Sequence, residues 1–240
     1  MGESEFIQDN SRFDEPLADS PLPRAKPITG DFDRLQPAAD RAQTALLLID
    51  VINDLEFDGG EELLVRALPM AHALTVLKAR AKGLGIPVIY VNDNFGRWRS
   101  DFNTLVQRCL HPEVRGQPVV ALLKPDEDDY FVLKPKHSAF YQTGLEILLQ
   151  YLGAKTLILT GVATDICVLF SANDAYMRDF RVCVPSDCVA SESNDRKDQA
   201  LALMQRVLKA DIAASTDVNL EKLVAPEERP YKEPARGNVV

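Results

Sequence analysis

The sequence predicts a three-layer α/β domain, in which a mostly parallel, six-stranded, Rossmann-like sheet lies between two layers of helices. Two observations lead to this fold class. The predicted strands are continuous apolar runs, such as L-L-L-I-D-V at 46–51, which are typical of strands buried on both faces of a parallel sheet. Segments with helical spacing alternate with these strands, and repeated strand–helix units favour parallel strands joined by right-handed crossovers.

Each strand is predicted from a short apolar run bounded by polar residues, glycine or proline. In chain order the predicted strands lie at 46–51, 87–92, 130–134, 156–161, 181–186 and 211–214. The predicted helices lie at 67–81, 145–152, 165–179 and 195–209. Gly83 and Gly153 follow the first two helices and are expected to end them.

The predicted domain extends over residues 44–216, and the segments on either side of it differ in composition. Residues 1–43 hold five of the 15 prolines and nine of the 36 acidic residues, and residues 217–240 hold three more prolines. Neither segment has apolar periodicity, so neither buries enough apolar surface to offset the entropy of ordering. We expect an extended N-terminal arm at 1–43 and a C-terminal tail at 217–240, either partly disordered or wrapped around a neighbouring subunit.

Composition and charge exclude several classes of function. The formal net charge of −9 disfavours binding to a phosphate backbone, so we expect no nucleic-acid partner. No apolar run approaches the roughly 18–20 residues that span a bilayer, and the N-terminus lacks the pattern of a secretory signal. Four cysteines in 240 residues do not suggest a disulfide framework. We therefore expect a cytoplasmic protein with no membrane partner.

Reactive residues stand at the carboxyl ends of three predicted strands, where open α/β sheets collect their functional groups. Asp50 ends the first strand, Lys134 ends the third, and Cys167 follows the fourth. Cys167 falls in the first turn of the next helix, with Thr164 as the predicted N-cap, and the free N–H groups there favour a thiolate. The same N–H groups can stabilise an oxyanion. From its position alone, Cys167 is equally a buried packing residue.

Asp50 and Lys134 are each open to two interpretations. A carboxylate after four aliphatic residues must be paired or hydrogen-bonded, although Asp50 would also serve to cap the following turn. Lys134 would lower the pKa of a neighbouring thiol, or would simply be a solvated lysine at a strand end. Together with Cys167 they supply a nucleophile, a base and an orienting cation, which is a way of activating a thiol.

Three ordered blocks of sequence resemble the isochorismatase-like cysteine hydrolase superfamily. The blocks are L-L-L-I-D-V-I-N-D at 46–54, V-L-K-P-K-H-S-A-F at 132–140 and L-I-L-T-G-V-A-T-D-I-C-V at 157–168. The superfamily includes nicotinamidases, N-carbamoylsarcosine amidases, ureidoacrylate amidohydrolases and biuret hydrolases. The resemblance covers roughly residues 45–216. It implies the isochorismatase-like hydrolase fold and assembly as a homodimer or homotetramer.

The resemblance also implies a role for each strand-end residue. Asp50 would be the general base, Lys134 the third member of a catalytic triad and Cys167 the nucleophile. The peptide bond between Val162 and Ala163 would be cis although no proline is involved. The backbone N–H groups of Ala163 and Cys167 would then form the oxyanion hole.

The histidines do not suggest a metal site. Nicotinamidases of the superfamily bind a metal through an Asp and histidines after the second strand, whereas residues 91–102 of this chain contain no histidine. His72, His111 and His137 show no ligand spacing, so we expect no metal and no other cofactor. His137 takes a place where the resembled motif commonly has an aromatic residue. We expect it to pack or to hydrogen-bond rather than to take part in catalysis.

A small-molecule substrate is expected, and several residues near the three blocks are candidates for binding it. They are Asn53, Asn94, Trp98, Phe102, Phe140, Tyr141 and Thr164. For the aromatic residues the alternative is a place in the core or in a subunit interface, and for Asn53 it is a role in a turn.

The sequence therefore favours a cysteine hydrolase that cleaves an amide or ureido C–N bond through a thioester on Cys167. One alternative is an isochorismatase-type vinyl-ether hydrolase with Asp50 as the acid. Superfamily members of that type often lack the cysteine, so Cys167 favours C–N hydrolysis. Another alternative is a non-catalytic small-molecule-binding or redox-sensing domain. Asp50 and Lys134 favour an enzyme, because a sensor thiol needs no carboxylate on the first strand.

Overall fold

The computed structural model describes residues 42–94 and 101–225, and the structural statements below refer to these residues. Its strands are β1 (Thr44–Ile49), β2 (Val88–Asp93), β3 (Tyr130–Lys134), β4 (Thr156–Val162), β5 (Arg181–Cys183) and β6 (Val189–Ala190). Its α-helices are α1 (Gly60–Gly83), α2 (Phe102–Cys109), α3 (Gln117–Leu122), α4 (Leu145–Leu152), α5 (Leu169–Tyr176), α6 (Asn194–Leu208) and α7 (Leu220–Val224). The predicted α/β fold class is confirmed.

The strands form one parallel sheet in the order β3-β2-β1-β4-β5, with β6 pairing to the carboxyl end of β4. The chain runs outward from β1 through β2 to β3, and then returns to β4 on the other side of β1. The carboxyl ends of β1 and β4 therefore flank the point at which the strand order reverses. Crevices for ligands form at such a point in open α/β sheets.

The sheet is covered by helices on both faces, which explains why its central strands are apolar along their whole length. In β1, which is buried throughout, Leu46 and Leu48 pack against the layer of α1, α2 and α3. Leu47 and Ile49 point to the opposite face and pack against α4, α5 and α6. The side chains of a strand alternate between faces, so a strand between two helical layers needs apolar residues at every position.

Gly161 allows the ends of β1 and β4 to lie side by side. Its φ is +108°, which side-chain-bearing residues rarely adopt, and a Cβ atom there would lie 2.0 Å from the carbonyl oxygen of Ile49. Only glycine fits this position without moving the backbone. Because the site described below lies at these two strand ends, its geometry depends on this close contact.

Two predicted elements differ from the structure at the edge of the sheet. The fifth strand ends at Cys183 rather than at residue 186, since Pro185 has no N–H to continue a ladder. Residues 211–214 do not form the sixth strand: Asp211 makes a single bridge to Cys183, and the sixth strand is Val189–Ala190. A run of two residues is too short to be found from an apolar pattern.

The described part of the predicted C-terminal tail belongs to the folded domain. Residues 220–224 form α7, Leu220 is fully buried, and the hydroxyl of Thr44 donates a hydrogen bond to the carbonyl of Leu223. The tail prediction is therefore wrong for residues 217–225. Residues 1–41 of the predicted arm and residues 226–240 of the tail lie outside the described residues.

Candidate active site

Asp50 follows β1 directly, and its carboxylate is held from two sides. The residue has a φ of +52°, an uncommon conformation for a side-chain-bearing residue that is enriched at functional sites. Oδ1 accepts a hydrogen bond from the backbone N–H of Asp93 at 2.7 Å, and Oδ2 lies 2.8 Å from Nζ of Lys134. Asp50 is only 5% exposed. The carboxylate is therefore buried, and its two hydrogen-bond donors fix its orientation.

Lys134 is the last residue of β3, and its ammonium group connects the other members of the site. The residue is 0% exposed. Besides Asp50, Nζ contacts the carbonyl of Lys136 at 3.2 Å, Sγ of Cys167 at 3.5 Å and Oδ2 of Asp93 at 3.7 Å. Burial lowers the pKa of Lys134, but the negative groups around it outweigh burial and hold the pKa above its usual value. The lysine therefore remains a cation beside the sulfur.

Cys167 lies in a π-helical turn, Thr164–Val168, that joins β4 to α5. Such turns often occur at functional sites. The peptide bond between Val162 and Ala163 before the turn is cis. The predicted N-cap is wrong, because Ala163 occupies that position. Thr164 is the first residue of the turn, and its buried hydroxyl has no hydrogen-bond partner among the described residues.

The surroundings of Cys167 favour the thiol over the thiolate that the first turn of a helix would favour. Burial and the negative charge of Asp50 raise the pKa of Cys167 to about 12, and Lys134 offsets only part of this effect. Burial also raises the pKa of Asp50 above its usual value, against the lowering effects of Lys134 and of a hydrogen bond with the thiol. A carboxylate of raised pKa is a better proton acceptor, so the pair is suited to proton transfer from sulfur to carboxylate.

Asp93 is part of the site, although the sequence analysis did not single it out. Its backbone N–H binds Asp50 and its carboxylate lies near Lys134, as described above. It ends β2 at the same edge of the sheet as Asp50 and Lys134. The rule that functional groups collect at carboxyl strand ends would have selected it, had the second strand been extended by one residue.

A set of serine contacts holds the loop after β3 against α5, and the sequence analysis missed it as well. The hydroxyl of Ser138 donates to the carboxylate of Asp174. The hydroxyl of Ser171 accepts from the backbone N–H of Ala139 at 2.9 Å and donates to the carbonyl of Cys167 at 2.7 Å. These bonds tie the segment after Lys134 to the helix that carries the cysteine.

His137 lies on this loop, next to the cysteine. Its Nδ1 is 3.9 Å from Sγ of Cys167, and its ring packs against Phe170 with centroids 5.6 Å apart. Both aromatic residues are exposed. His137 therefore approaches the sulfur from an exposed position, whereas Lys134 and Asp50 are buried.

The residues predicted to bind substrate occupy different places. Phe102 and Phe140 are buried in the two halves of the core, where Phe102 stacks on Phe131 and Phe140 packs beneath Arg178. Their role in substrate binding stays a prediction. Tyr141 is exposed.

Two asparagines remain close to the strand ends. The side chain of Asn53 accepts a hydrogen bond from the N–H of Leu55 and lines a small cavity beside Asp50. Asn94 follows β2, and its N–H donates to the carbonyl of Lys134. Trp98 lies outside the described residues, so its predicted role stays a prediction.

The other three cysteines, Cys109, Cys183 and Cys188, are buried in the core. Burial raises the pKa of Cys109 to about 11 and the pKa values of Cys183 and Cys188 to about 12. Cys109 is the last residue of α2 and is fully buried. Within the described part of the chain, Cys167 alone among the four cysteines contacts a lysine.

Among the described residues, one group of acidic side chains is compact enough to share a cation: Asp126, Asp128 and Asp129. Nζ of Lys82 contacts all three carboxylates at 2.6–3.2 Å, and Nζ of Lys78 lies 2.6 Å from Asp129. These two lysines already pair with all three carboxylates and offset most of their negative charge. The group precedes β3, at the edge of the sheet opposite Lys134, and we assign it no metal. No helix in the described part of the chain is long and apolar enough to cross a membrane.

Comparison with known proteins agrees with this geometry. The isochorismatase domain model matches residues 44–216. An uncharacterised isochorismatase family protein of Bacillus subtilis, YaaI, is 41% identical over 178 residues, which cover 74% of this chain and 97% of that protein. The ureidoacrylate amidohydrolase RutB of Methylobacterium radiotolerans is 29% identical over 62% of this chain and 68% of its own length.

Solved structures show the same relationship. The crystal structure of N-carbamoylsarcosine amidase from Thermoplasma acidophilum matches with a TM-score of 0.56 and 25% identity, over 74% of this chain and 99% of that one. The domain match alone covers well over half of the 240 residues. The chain therefore belongs to the isochorismatase family, within the superfamily of isochorismatase-like cysteine hydrolases.

Proposed function

We propose that this hydrolase cleaves an amide or ureido C–N bond of a small molecule through a thioester on Cys167. The observation that carries the proposal is the position of the Lys134 ammonium group, 2.8 Å from the Asp50 carboxylate and 3.5 Å from the Cys167 sulfur. A nucleophile, a base and a cation are thus in contact at the carboxyl edge of the sheet. The names of two relatives, an N-carbamoylsarcosine amidase and a ureidoacrylate amidohydrolase, support this class of bond.

In the first step, Asp50 accepts the thiol proton as the sulfur of Cys167 attacks the substrate carbonyl. The C–S bond forms, and the carbonyl π electrons move to the oxygen. Because the thiol is protonated at rest, its proton must leave during the attack, and a general base contributes about 10²- to 10⁴-fold to such a step. Lys134 stabilises the negative charge that passes from the carboxylate to the sulfur.

The oxyanion that forms would accept hydrogen bonds from the backbone N–H groups of Ala163 and Cys167. Such donors are worth about 10²- to 10³-fold each. The tetrahedral intermediate then collapses, and the C–N bond breaks with its electron pair on nitrogen. Asp50 returns the proton to that nitrogen, and the amine or ammonia leaves. Cys167 is left as a thioester, which water hydrolyses.

The arrangement of the site favours vinyl-ether hydrolysis less than hydrolysis of a C–N bond. That reaction begins with protonation of a carbon atom, for which a buried acid suffices and a sulfur nucleophile has no role. Here the thiol occupies the solvent-facing part of the site, between Lys134 and His137. The sulfur is therefore the first reactive atom that a substrate entering from solvent meets.

The test is a panel of small amides and ureides, together with isochorismate, assayed with the full chain and with Cys167→Ala. We expect release of ammonia or amine from at least one amide or ureide, and no release with Cys167→Ala. Cys183→Ala is the matched control, because it removes a buried thiol away from Lys134. Equal turnover of isochorismate by the full chain and by Cys167→Ala, with no amide cleaved, would overturn the proposal in favour of the ether hydrolase.

A further inference from the structure

We propose that His137 is the general base that activates the water for hydrolysis of the thioester on Cys167. This inference rests on the proposed function, because it requires a thioester. It adds a catalytic residue to Asp50, Lys134 and Cys167, and it assigns the two half-reactions to bases on opposite sides of the sulfur.

His137 lies on the solvent side of the site, whereas Asp50 and Lys134 are buried. Asp50 and Lys134 lie on the buried side of the sulfur, at 5% and 0% exposure. His137 is exposed, with its Nδ1 3.9 Å from Sγ. An acyl group that enters from solvent occupies the outer side, and the water that follows it enters from the same side. Among the described residues, His137 is the basic side chain in contact with the sulfur from an exposed position.

During hydrolysis of the thioester, both oxygens of the Asp50 carboxylate remain hydrogen-bonded. One of its oxygens accepts from the N–H of Asp93 at 2.7 Å, and the other accepts from Lys134 at 2.8 Å. Neither donor is consumed by acylation. The carboxylate can take the proton of the neighbouring thiol, but a water that enters from solvent has to pass the acylated sulfur to reach a group that is only 5% exposed. Nδ1 of His137 has no such competing donor among its described contacts.

The distance between Nδ1 of His137 and Sγ of Cys167 suits the attack of a water molecule on the acyl carbon. The acyl carbon of a thioester lies one covalent bond from Sγ. A water hydrogen-bonded to Nδ1 at about 2.6–3.2 Å can approach that carbon to about 3–3.5 Å when nitrogen and sulfur are 3.9 Å apart. The imidazole is held in place by its contact with Phe170, and the serine contacts described above fix its loop to the helix of Cys167.

The proposed hydrolysis of the thioester consumes one water and restores both His137 and Cys167. With its proton on Nε2, the neutral imidazole uses the Nδ1 lone pair to take a proton from water as the oxygen bonds to the acyl carbon. The carbonyl π electrons move to oxygen and then return, and the C–S bond breaks with its pair on sulfur. The sulfur takes the proton from Nδ1. The products are a carboxylic acid, the thiol of Cys167 and neutral His137.

The test uses p-nitrophenyl acetate, which acetylates a reactive thiol and releases p-nitrophenolate without help from an acid. His137→Phe keeps an aromatic ring against Phe170 and removes the base. We expect a burst of one p-nitrophenolate per active site in the full chain and in the variant, followed by a steady rate that is lower in the variant by about 10²-fold. In His137→Phe, kcat and KM should fall together. The ratio kcat/KM should be unchanged, because it reports acylation alone.

Three controls complete the experiment. His72→Phe makes the same substitution at an exposed position of α1 and should leave both phases unchanged. Hydroxylamine, a nucleophile that needs no base, should restore turnover in His137→Phe. The acetyl mass should accumulate on Cys167 in His137→Phe during steady state and should be absent from Cys167→Ala.

Two results would overturn the role of His137 while leaving the proposed function intact. One is a burst in the full chain with an undiminished steady rate in His137→Phe. The other is a lower kcat/KM in His137→Phe than in the full chain. That result would place His137 in acylation or in the packing of the site. A full chain with neither a burst nor an acetyl group on Cys167 would overturn the proposed function, and this inference with it.

Discussion

Replacing Asp50 with Asn should change hydrolysis and alkylation in opposite directions. Asp50→Asn removes the base, so amide turnover should fall by about 10²-fold or more. The same change removes a negative charge that raises the pKa of Cys167 and leaves Lys134 in place. The thiolate should therefore become more abundant, and iodoacetamide should alkylate Cys167 faster.

The size of the effect follows from the distances. The carboxylate and the sulfur both contact Nζ of Lys134, at 2.8 and 3.5 Å, so they are at most about 6 Å apart. At that separation and an effective dielectric constant of about 20, loss of the repulsion is worth about 3 kcal/mol, or about a hundredfold in thiolate population. A thiolate of lower pKa is less nucleophilic, with a Brønsted coefficient of about 0.4–0.5, so the alkylation rate should rise by about tenfold.

The assay is the rate of iodoacetamide addition at about pH 8, read by mass spectrometry of the intact protein and of the peptide that contains Cys167. Asp198→Asn, an exposed change on α6, is the matched control and should alter neither rate. Alkylation that is slower or unchanged in Asp50→Asn would refute the reasoning, because it would mean that Asp50 does not hold the proton on sulfur.

Four further predictions concern the same framework. Lys134→Met should abolish turnover and lower the free energy of unfolding by about 3–5 kcal/mol in a urea titration, because the Asp50 carboxylate stays buried without its cation. Gly161→Ala should lower the melting temperature sharply or prevent soluble expression, since its Cβ would lie 2.0 Å from a β1 carbonyl oxygen, while Gly83→Ala, with open space around it, should not. Cys183→Ala should retain full turnover, because its thiol is buried in β5. Dialysis against EDTA should leave turnover unchanged, and a loss restored by zinc or iron would contradict the expectation that no metal is needed.

The three reactive strand ends were predictable because they depend on short-range patterns and on one topological rule. Apolar runs located β1, β3 and β4 to within two residues. The rule that parallel strands present their carboxyl ends at one edge then placed Asp50, Lys134 and Cys167 together. In the structure, Nζ of Lys134 contacts both of the other two residues.

Several features were not predictable because they depend on long-range packing. The left-handed conformation of Asp50 and the π-helical turn at Cys167 leave no periodic signal in the sequence. The raised pKa of Cys167 results from burial and from Asp50, which outweigh the lowering effect of Lys134. The contact of His137 with the sulfur is set by the serine bonds between the loop after β3 and α5.

The most direct test of the central claim is the mass of enzyme quenched in acid during turnover of a slowly hydrolysed amide or ureide. A nucleophilic Cys167 predicts an added acyl mass on the peptide that contains this residue, released by mild hydroxylamine as a thioester should be. Cys167→Ala should show neither the adduct nor turnover. An unmodified Cys167 throughout turnover, together with undiminished cleavage by Cys167→Ala, would contradict the claim that the reaction proceeds through this sulfur.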